Sequence, residues 1–187
     1  MRSRLDEAFD AVPRVEYLPI EQRRFSHEDR PLPIGYSATN SQPSTVRFML
    51  QTLDAQPGDK VLDVGSGSGW TAALLGNLVS PGGVVVGVDI VPALVEMARK
   101  NHGNRMPMVS FRLGSPGSYG WPEDGPYDKI LVSADAGRIP VELEEQLSVG
   151  GRMILPAAQR LWVVERTEDG DLVRHTAPGR FSFVPLR

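Results

Sequence analysis

Hydrophobic and polar positions change rhythm along this chain, and each rhythm predicts an element. At the start, Leu5, Ala8, Phe9 and Val12 recur at helical spacing before Pro13, so a short helix should end there. Asp29-Arg-Pro-Leu-Pro-Ile-Gly-Tyr36 holds two prolines and a glycine and reads as an extended loop. The hydroxyl-rich stretch Ser37-Ala-Thr-Asn-Ser-Gln-Pro43 then leads into a helix with Val46, Met49, Leu50 and Leu53 on one face. From residue 60 short apolar runs alternate with helical stripes. Val61-Leu-Asp-Val64 is a run ended by Gly65, and Thr71–Val79 is helical. Val84-Val-Val-Gly-Val88 is β-branched enough for a strand buried on both faces. Pro92 suits the first turn of a helix whose stripe is Leu94, Met97 and Ala98. Further strands are predicted at Val109–Leu113, Lys129–Val132 and Arg152–Leu155, with a helix at Pro140–Leu147 ended by Gly150-Gly151. Leu161–Arg166, a turn around Glu168-Asp-Gly170 and Leu172–His175 predict an antiparallel hairpin, and Phe181–Leu186 a final strand.

Strands alternating with helices imply an α/β fold: a Rossmann-like, mostly parallel twisted sheet, helices on both faces, and an antiparallel C-terminal edge. The length of 187 residues suits one domain, with 1–58 as N-terminal helices and loop ahead of a sheet at 59–187. Twenty basic against 23 acidic side chains leave a net charge of −3, which argues against a nucleic-acid partner. There is no cysteine, which removes disulfides, zinc thiolates, iron–sulfur clusters and a cysteine nucleophile together. His27, His102 and His175 are isolated from one another, so no metal site is expected. Nothing resembles a membrane span or a secretory signal, and a cytoplasmic protein is expected.

The most informative segment is Val61-Leu-Asp-Val-Gly-Ser-Gly-Ser-Gly-Trp70, a strand entering a glycine loop that opens a helix. Gly65, Gly67 and Gly69 let the backbone turn tightly and let a ligand approach it closely. Asp89, about 20 residues further on at the next strand end, is placed to bind ribose hydroxyls. A phosphate-binding P-loop would require Gly-Lys-Ser/Thr, and Gly69 is followed by Trp70. In the dinucleotide fingerprint the third glycine would fall on Trp70. The Gly-x-Gly-x-Gly spacing instead resembles motif I of class I S-adenosylmethionine (SAM)-dependent methyltransferases.

Nearly the whole chain resembles one family, the protein-L-isoaspartate (D-aspartate) O-methyltransferases. Val12-Pro-Arg14 is similar to its N-terminal turn, and Glu28-Asp-Arg-Pro-Leu-Pro-Ile-Gly-Tyr36 to the loop before its active site. Thr39-Asn-Ser-Gln-Pro43 resembles the Thr-Ile-Ser-Gln-Pro signature, with Asn40 in place of the usual isoleucine. Asp89-Ile-Val-Pro92, Gly120-Trp-Pro-Glu123, Glu145–Arg152 and Phe183-Val-Pro-Leu186 also resemble family landmarks. The resemblance implies SAM as cofactor, held by Gly65, Ser66, Gly67, Ser68, Gly69, Asp89 and Ile90, with Gly114 and Ser115 at the adenine end. It implies a protein or peptide partner bearing isoaspartate, and places Ser41 at the active-site serine. Two departures stand out. Gly114-Ser-Pro116 replaces the family's Gly-Asp-Gly, and Ser182 replaces an arginine.

A carboxylate is already ionised at pH 7, so its methylation requires no strong base. Alignment and exclusion of water can then carry the reaction. Thr39 and Ser41 offer hydroxyl donors to orient the acceptor, unless they serve only as caps for the helix near Pro43. Asp135, after the Ser133-Ala134 strand end, either lines the site or caps the next segment. The leading expectation is carboxyl methylation of isoaspartyl residues. The departures leave open methylation of a dedicated peptide, or a non-catalytic remnant of the fold.

Overall fold

The computed structural model describes residues 2–186. Helix α1 (Arg4–Ala11) starts at a reciprocal cap, in which the Ser3 hydroxyl accepts from the Asp6 amide and the Asp6 carboxylate accepts from the Ser3 amide. Two short 3-10 turns at Arg14–Tyr17 and Ile20–Phe25 follow, at positions with no periodic signal. The prolines of the predicted loop are compatible with a short edge hairpin. β1 (Leu32–Gly35) pairs antiparallel with β2 (Ala38–Asn40), turning at Tyr36 and Ser37, both at positive φ. Helix α2 (Pro43–Leu53) buries Val46, Met49, Leu50 and Leu53, the face its periodicity predicts.

The remaining chain supplies β3 (Lys60–Val64), α3 (Trp70–Val79), β4 (Val84–Asp89), α4 (Pro92–His102), β5 (Val109–Leu113) and β6 (Tyr127–Val132). It then supplies α5 (Val141–Glu145), β7 (Leu147–Ala157), β8 (Arg160–Arg166) and β9 (Leu172–Thr176). The sheet order is β5-β4-β3-β6-β7-β8-β9, parallel through β7 and antiparallel over the last two pairs. Successive connections run outward from β3 to β5 and then return to place β6 on the other side of β3. That reversal is a topological switch point, and it opens a crevice at the carboxyl ends of β3, β4 and β6.

Strand alternation divides the core in two. Val61, Val85, Val109, Leu131 and Ile154 face one side, packed with α1, α2, α3 and α4. Leu62, Val64, Val86, Val88, Ile130 and Val132 face the other, under Leu143 of α5, Tyr119, Trp121 and Trp162. Helix α3 is apolar around most of its circumference because α1 lies over it, with Phe9 edge-on to Trp70 at 5.6 Å. A third cluster seats the hairpin, where Leu32 and Ile34 pack with Leu18 and with Leu94 of α4.

Besides the hairpin, two elements differ from expectation. The predicted helix at Pro140–Leu147 is a five-residue turn, and β7 begins at Leu147, running through Gly150-Gly151. Gly150 at φ +75 and a register shift against β6 let the strand continue where glycines read as a stop. Phe181–Leu186 forms no strand. It makes a single bridge, Pro185 with Asp135, and its residues Val184 to Leu186 line the crevice.

Candidate active site

The crevice is an open cleft lined by several separate parts of the chain. The glycine loop supplies Gly65 and Gly67, the end of β4 supplies Val88 to Val91, and the hairpin turn supplies Tyr36 to Thr39. The loop after β6 adds Ser133 and Ala134, and the C-terminal segment adds Val184 to Leu186. Backbone bonds fix the loop: the amides of Gly65 and Ser66 both donate to the Val88 carbonyl, at 2.8 and 3.0 Å, and Gly69 donates to Ser66 at 2.8 Å. Gly65 and Gly67 have φ of +75 and +53, conformations that favour glycine. Asp89 accepts from the amide of Gly67 at one oxygen and from that of Val91 at the other, each at 3.0 Å. Both oxygens keep lone pairs for a ligand in the cleft. Burial raises the Asp89 pKa, against these two amide bonds.

A second pocket adjoins the first. Thr39, Ser41, Gln42, Thr45, Ser133 and Ser182 bring hydroxyl and amide groups to it, and Pro31, Phe183 and Val184 complete its wall. Thr39 and Ser133 border both spaces. Between them a narrow polar niche collects Ser41, Ser66, Ser68, Thr71 and Ser133, and the buried Ser66 hydroxyl has no partner there. Beneath the niche lies Asp63, fully buried. It accepts from the Thr71 hydroxyl at 2.6 Å and from Ser133 at 3.2 Å. Burial pushes its carboxyl up to about 6, against the pull of those two hydroxyls.

The sequence-predicted residues divide among these spaces. Gly65, Gly67, Asp89, Ile90 and Thr39 line the cleft, while Ser66, Ser68 and Ser41 line the niche. Gly69 begins α3 at φ +89, packed against Phe111 below the loop. Gly114 and Ser115 lie past the end of β5 and border none of these spaces; Ser118, Tyr119 and Gly120 occupy that end of the cleft. Helix capping does not account for Thr39 or Ser41. Gln42 is the cap position without a side-chain bond, and the Asp29 carboxylate takes the Ser44 amide at 2.8 Å. Asp135 accepts from the Gly137 amide at 2.7 Å, which makes it the local cap of its turn.

Sequence reasoning missed Tyr36, Ser133 and the Ser118–Gly120 segment as lining residues. Ser133 was within reach of the strand-end rule, because it follows β6 at its carboxyl end. It missed Arg14 as an organiser. The 6 % exposed guanidinium donates to the carbonyls of Glu28, Arg30, Asn40 and Ser41, and burial lowers its pKa to about 10.

A parallel sheet with a switch-point crevice, a glycine loop and a strand-end acid defines the class I methyltransferase type. The family model for protein-L-isoaspartate(D-aspartate) O-methyltransferase matches residues 1–187, and the chain belongs to that family. A protein-L-isoaspartate O-methyltransferase of Methanopyrus kandleri is 43% identical, over 98% of this chain and 83% of its own length. One of Aeropyrum pernix is 47% identical, over 98% and 72%. A solved protein-L-isoaspartate O-methyltransferase superposes with a TM-score of 0.85 at 28% identity, covering 98% of this chain, which spans 61% of that one. A Plasmodium falciparum structure described as a complex with S-adenosyl-L-homocysteine superposes with a TM-score of 0.86 at 22% identity, over 100% and 91%, and bears on the fold alone.

Proposed function

We propose that this chain is a SAM-dependent carboxyl O-methyltransferase acting on L-isoaspartyl residues, or D-aspartyl residues, of damaged proteins or peptides. One observation carries the reading. The glycine-loop cleft and the hydroxyl-lined pocket share Thr39 and Ser133 as a common wall, so a donor in one space faces an acceptor in the other. The cleft suits SAM. Gly65 and Gly67 present bare backbone to the cleft at positive φ, Asp89 retains lone pairs for ribose hydroxyls, and the unpaired Ser66 hydroxyl lies in the adjoining niche. When bound there, SAM supplies an electrophilic methyl group on a sulfonium.

The protein's own part is positioning. Gly65, Gly67, Asp89 and Ile90 hold the donor from the cleft, with Ser66 and Ser68 behind it. Ser41 and Thr39 donate hydrogen bonds that orient the acceptor carboxylate without neutralising it. No base is invoked, because the acceptor is ionised at neutral pH. The adenine end belongs to Ser118–Gly120 rather than to Gly114 and Ser115, which stand outside the cleft. Residues 1–58 and 59–187 both contribute to each space: Thr39, Ser41 and Gln42 meet Ser133 and Ser182 in the acceptor pocket, and Tyr36 to Thr39 meet the glycine loop in the donor cleft.

Ser182 lies in the acceptor pocket, where the family resemblance leads one to expect arginine. It favours a second reading, methylation of a dedicated peptide carboxylate. A methylation assay with an isoaspartyl peptide and its aspartyl twin tests both. Turnover of the isoaspartyl peptide alone supports the repair reading. Turnover of neither, with S-adenosylhomocysteine still bound, would overturn it.

A further inference from the structure

Asn40 stands at the end of the hairpin, one residue before Ser41, and is only 4 % exposed. Its side-chain oxygen accepts from Arg14 Nε at 2.8 Å, and its Nδ2 donates to the Ser68 hydroxyl at 3.1 Å. Arg14 grips the same hairpin by its backbone, donating at 3.0 Å to the carbonyls of both Asn40 and Ser41. Ser68 belongs to the glycine loop, and its carbonyl accepts from Asn101 of α4 at 3.1 Å. One buried chain of hydrogen bonds thus runs from the N-terminal turn, through the acceptor hairpin, into the donor loop.

The amide matters because it joins two elements that would otherwise meet only by packing. An apolar side chain at 40 would leave Arg14 Nε and the Ser68 hydroxyl without this partner in a buried place. A ligand that orders the glycine loop also orders Ser68, and through Asn40 fixes the backbone that carries Ser41. Coupling of this kind is reciprocal, since each ligand must raise the other's affinity by the same factor.

We propose that Arg14, Asn40 and Ser68 form a relay through which donor-cleft occupancy prepares the acceptor site, with Asn40 as its positioning residue. The inference rests on the proposed function. It is tested by calorimetric titration of an isoaspartyl peptide with and without saturating S-adenosylhomocysteine, a pair that cannot react. In the parent, S-adenosylhomocysteine should tighten peptide binding about 5-fold or more, the usual lower end of such coupling. In Asn40→Leu that factor should fall to near one, while S-adenosylhomocysteine affinity stays within about threefold. Asn40→Asp should restore the factor, because its carboxylate can accept from both Arg14 and the Ser68 hydroxyl. If Asn40→Leu does not fold, Asn40→Ala removes the same two side-chain links with a smaller group and should lose the same coupling. A merely structural Asn40 would lower the melting temperature and leave the factor unchanged, which overturns the relay. A parent factor near one overturns it as well. A parent that binds S-adenosylhomocysteine but no isoaspartyl peptide would overturn the proposed function, and the relay with it.

Discussion

Ser41 has no helix to cap, because Asp29 holds the Ser44 amide. Its hydroxyl is therefore available to an acceptor, and Ser41→Ala should lower turnover about 10- to 1,000-fold, the range for one donor lost from a charged transition state. The melting temperature should stay near the parent's, and single-turnover methylation read beside thermal denaturation checks both. A lowered melting point with parental turnover would refute the role. Asp29→Asn is the complementary change and should reduce thermal stability. Asp63 carries a different burden. Its carboxyl ionises near 6 in the folded protein against an ordinary 3.8, so between those pH values the folded state holds the extra proton. Proton uptake then favours folding at pH 4, and that contribution is lost as pH rises through 6. The interval between the two ionisation points corresponds to about 3 kcal/mol. Asn cannot titrate, so Asp63→Asn should gain about that much stability relative to the parent between pH 4 and pH 7, measured by urea unfolding at each pH.

At the scale of elements, the glycine loop shows why one glycine is not equivalent to the next. Gly67 and Gly69 both have positive φ, so alanine strains the backbone at either position. They differ in what a Cβ meets. At Gly69 it would sit 2.9 Å from Phe111 Cζ and 3.1 Å from Ala98 Cβ, inside the core under α3. At Gly67 it meets one flexible group, Ile34 Cδ1 at 3.1 Å, beside the cleft. Gly69→Ala should therefore lower the melting temperature more, and Gly67→Ala should lose more S-adenosylhomocysteine affinity relative to its stability loss. The reverse order in denaturation and titration would contradict this division. Strands such as Val84–Asp89 were legible because burial on both faces demands continuous apolar residues, and α2 because one buried face imposes its period. The hairpin was not. Leu32 and Ile34 read as a proline-broken loop until Leu18 and Leu94 supply the surface that they bury against. Gly150-Gly151 misled because a bulge, a matter of register with β6, lets a strand pass where local propensity says stop.

For the whole molecule, topology does what no motif states. The return of the chain to place β6 beside β3 puts Ser133 on the same walls as Thr39, residues far apart in sequence, where both border the two spaces. The glycine loop and strand-end acid were visible as a donor site because their spacing is local, whereas Tyr36, Ser118–Gly120 and the C-terminal wall depend on that return. Because loop, strand ends, hairpin and C-terminal segment all border the cleft, a ligand there ties together parts of the chain that separate on unfolding. Binding only to the folded state stabilises it by about 2.7 kcal/mol when ligand stands at 100 times its dissociation constant. For a chain of this length each kcal/mol moves the melting temperature by about 2–4 °C, so S-adenosylhomocysteine at that level should raise it by about 5–11 °C. The rise should grow with the logarithm of ligand concentration, and Asp89→Ala should need proportionally more ligand for the same shift, as charge-assisted bonds to the ribose are lost. Adenosine alone, which keeps the ribose and lacks the homocysteinyl arm, should give a smaller shift at equal concentration. A chain that retains this fold without a working donor site would show no shift with either ligand, and that result would remove the catalytic reading at its first step.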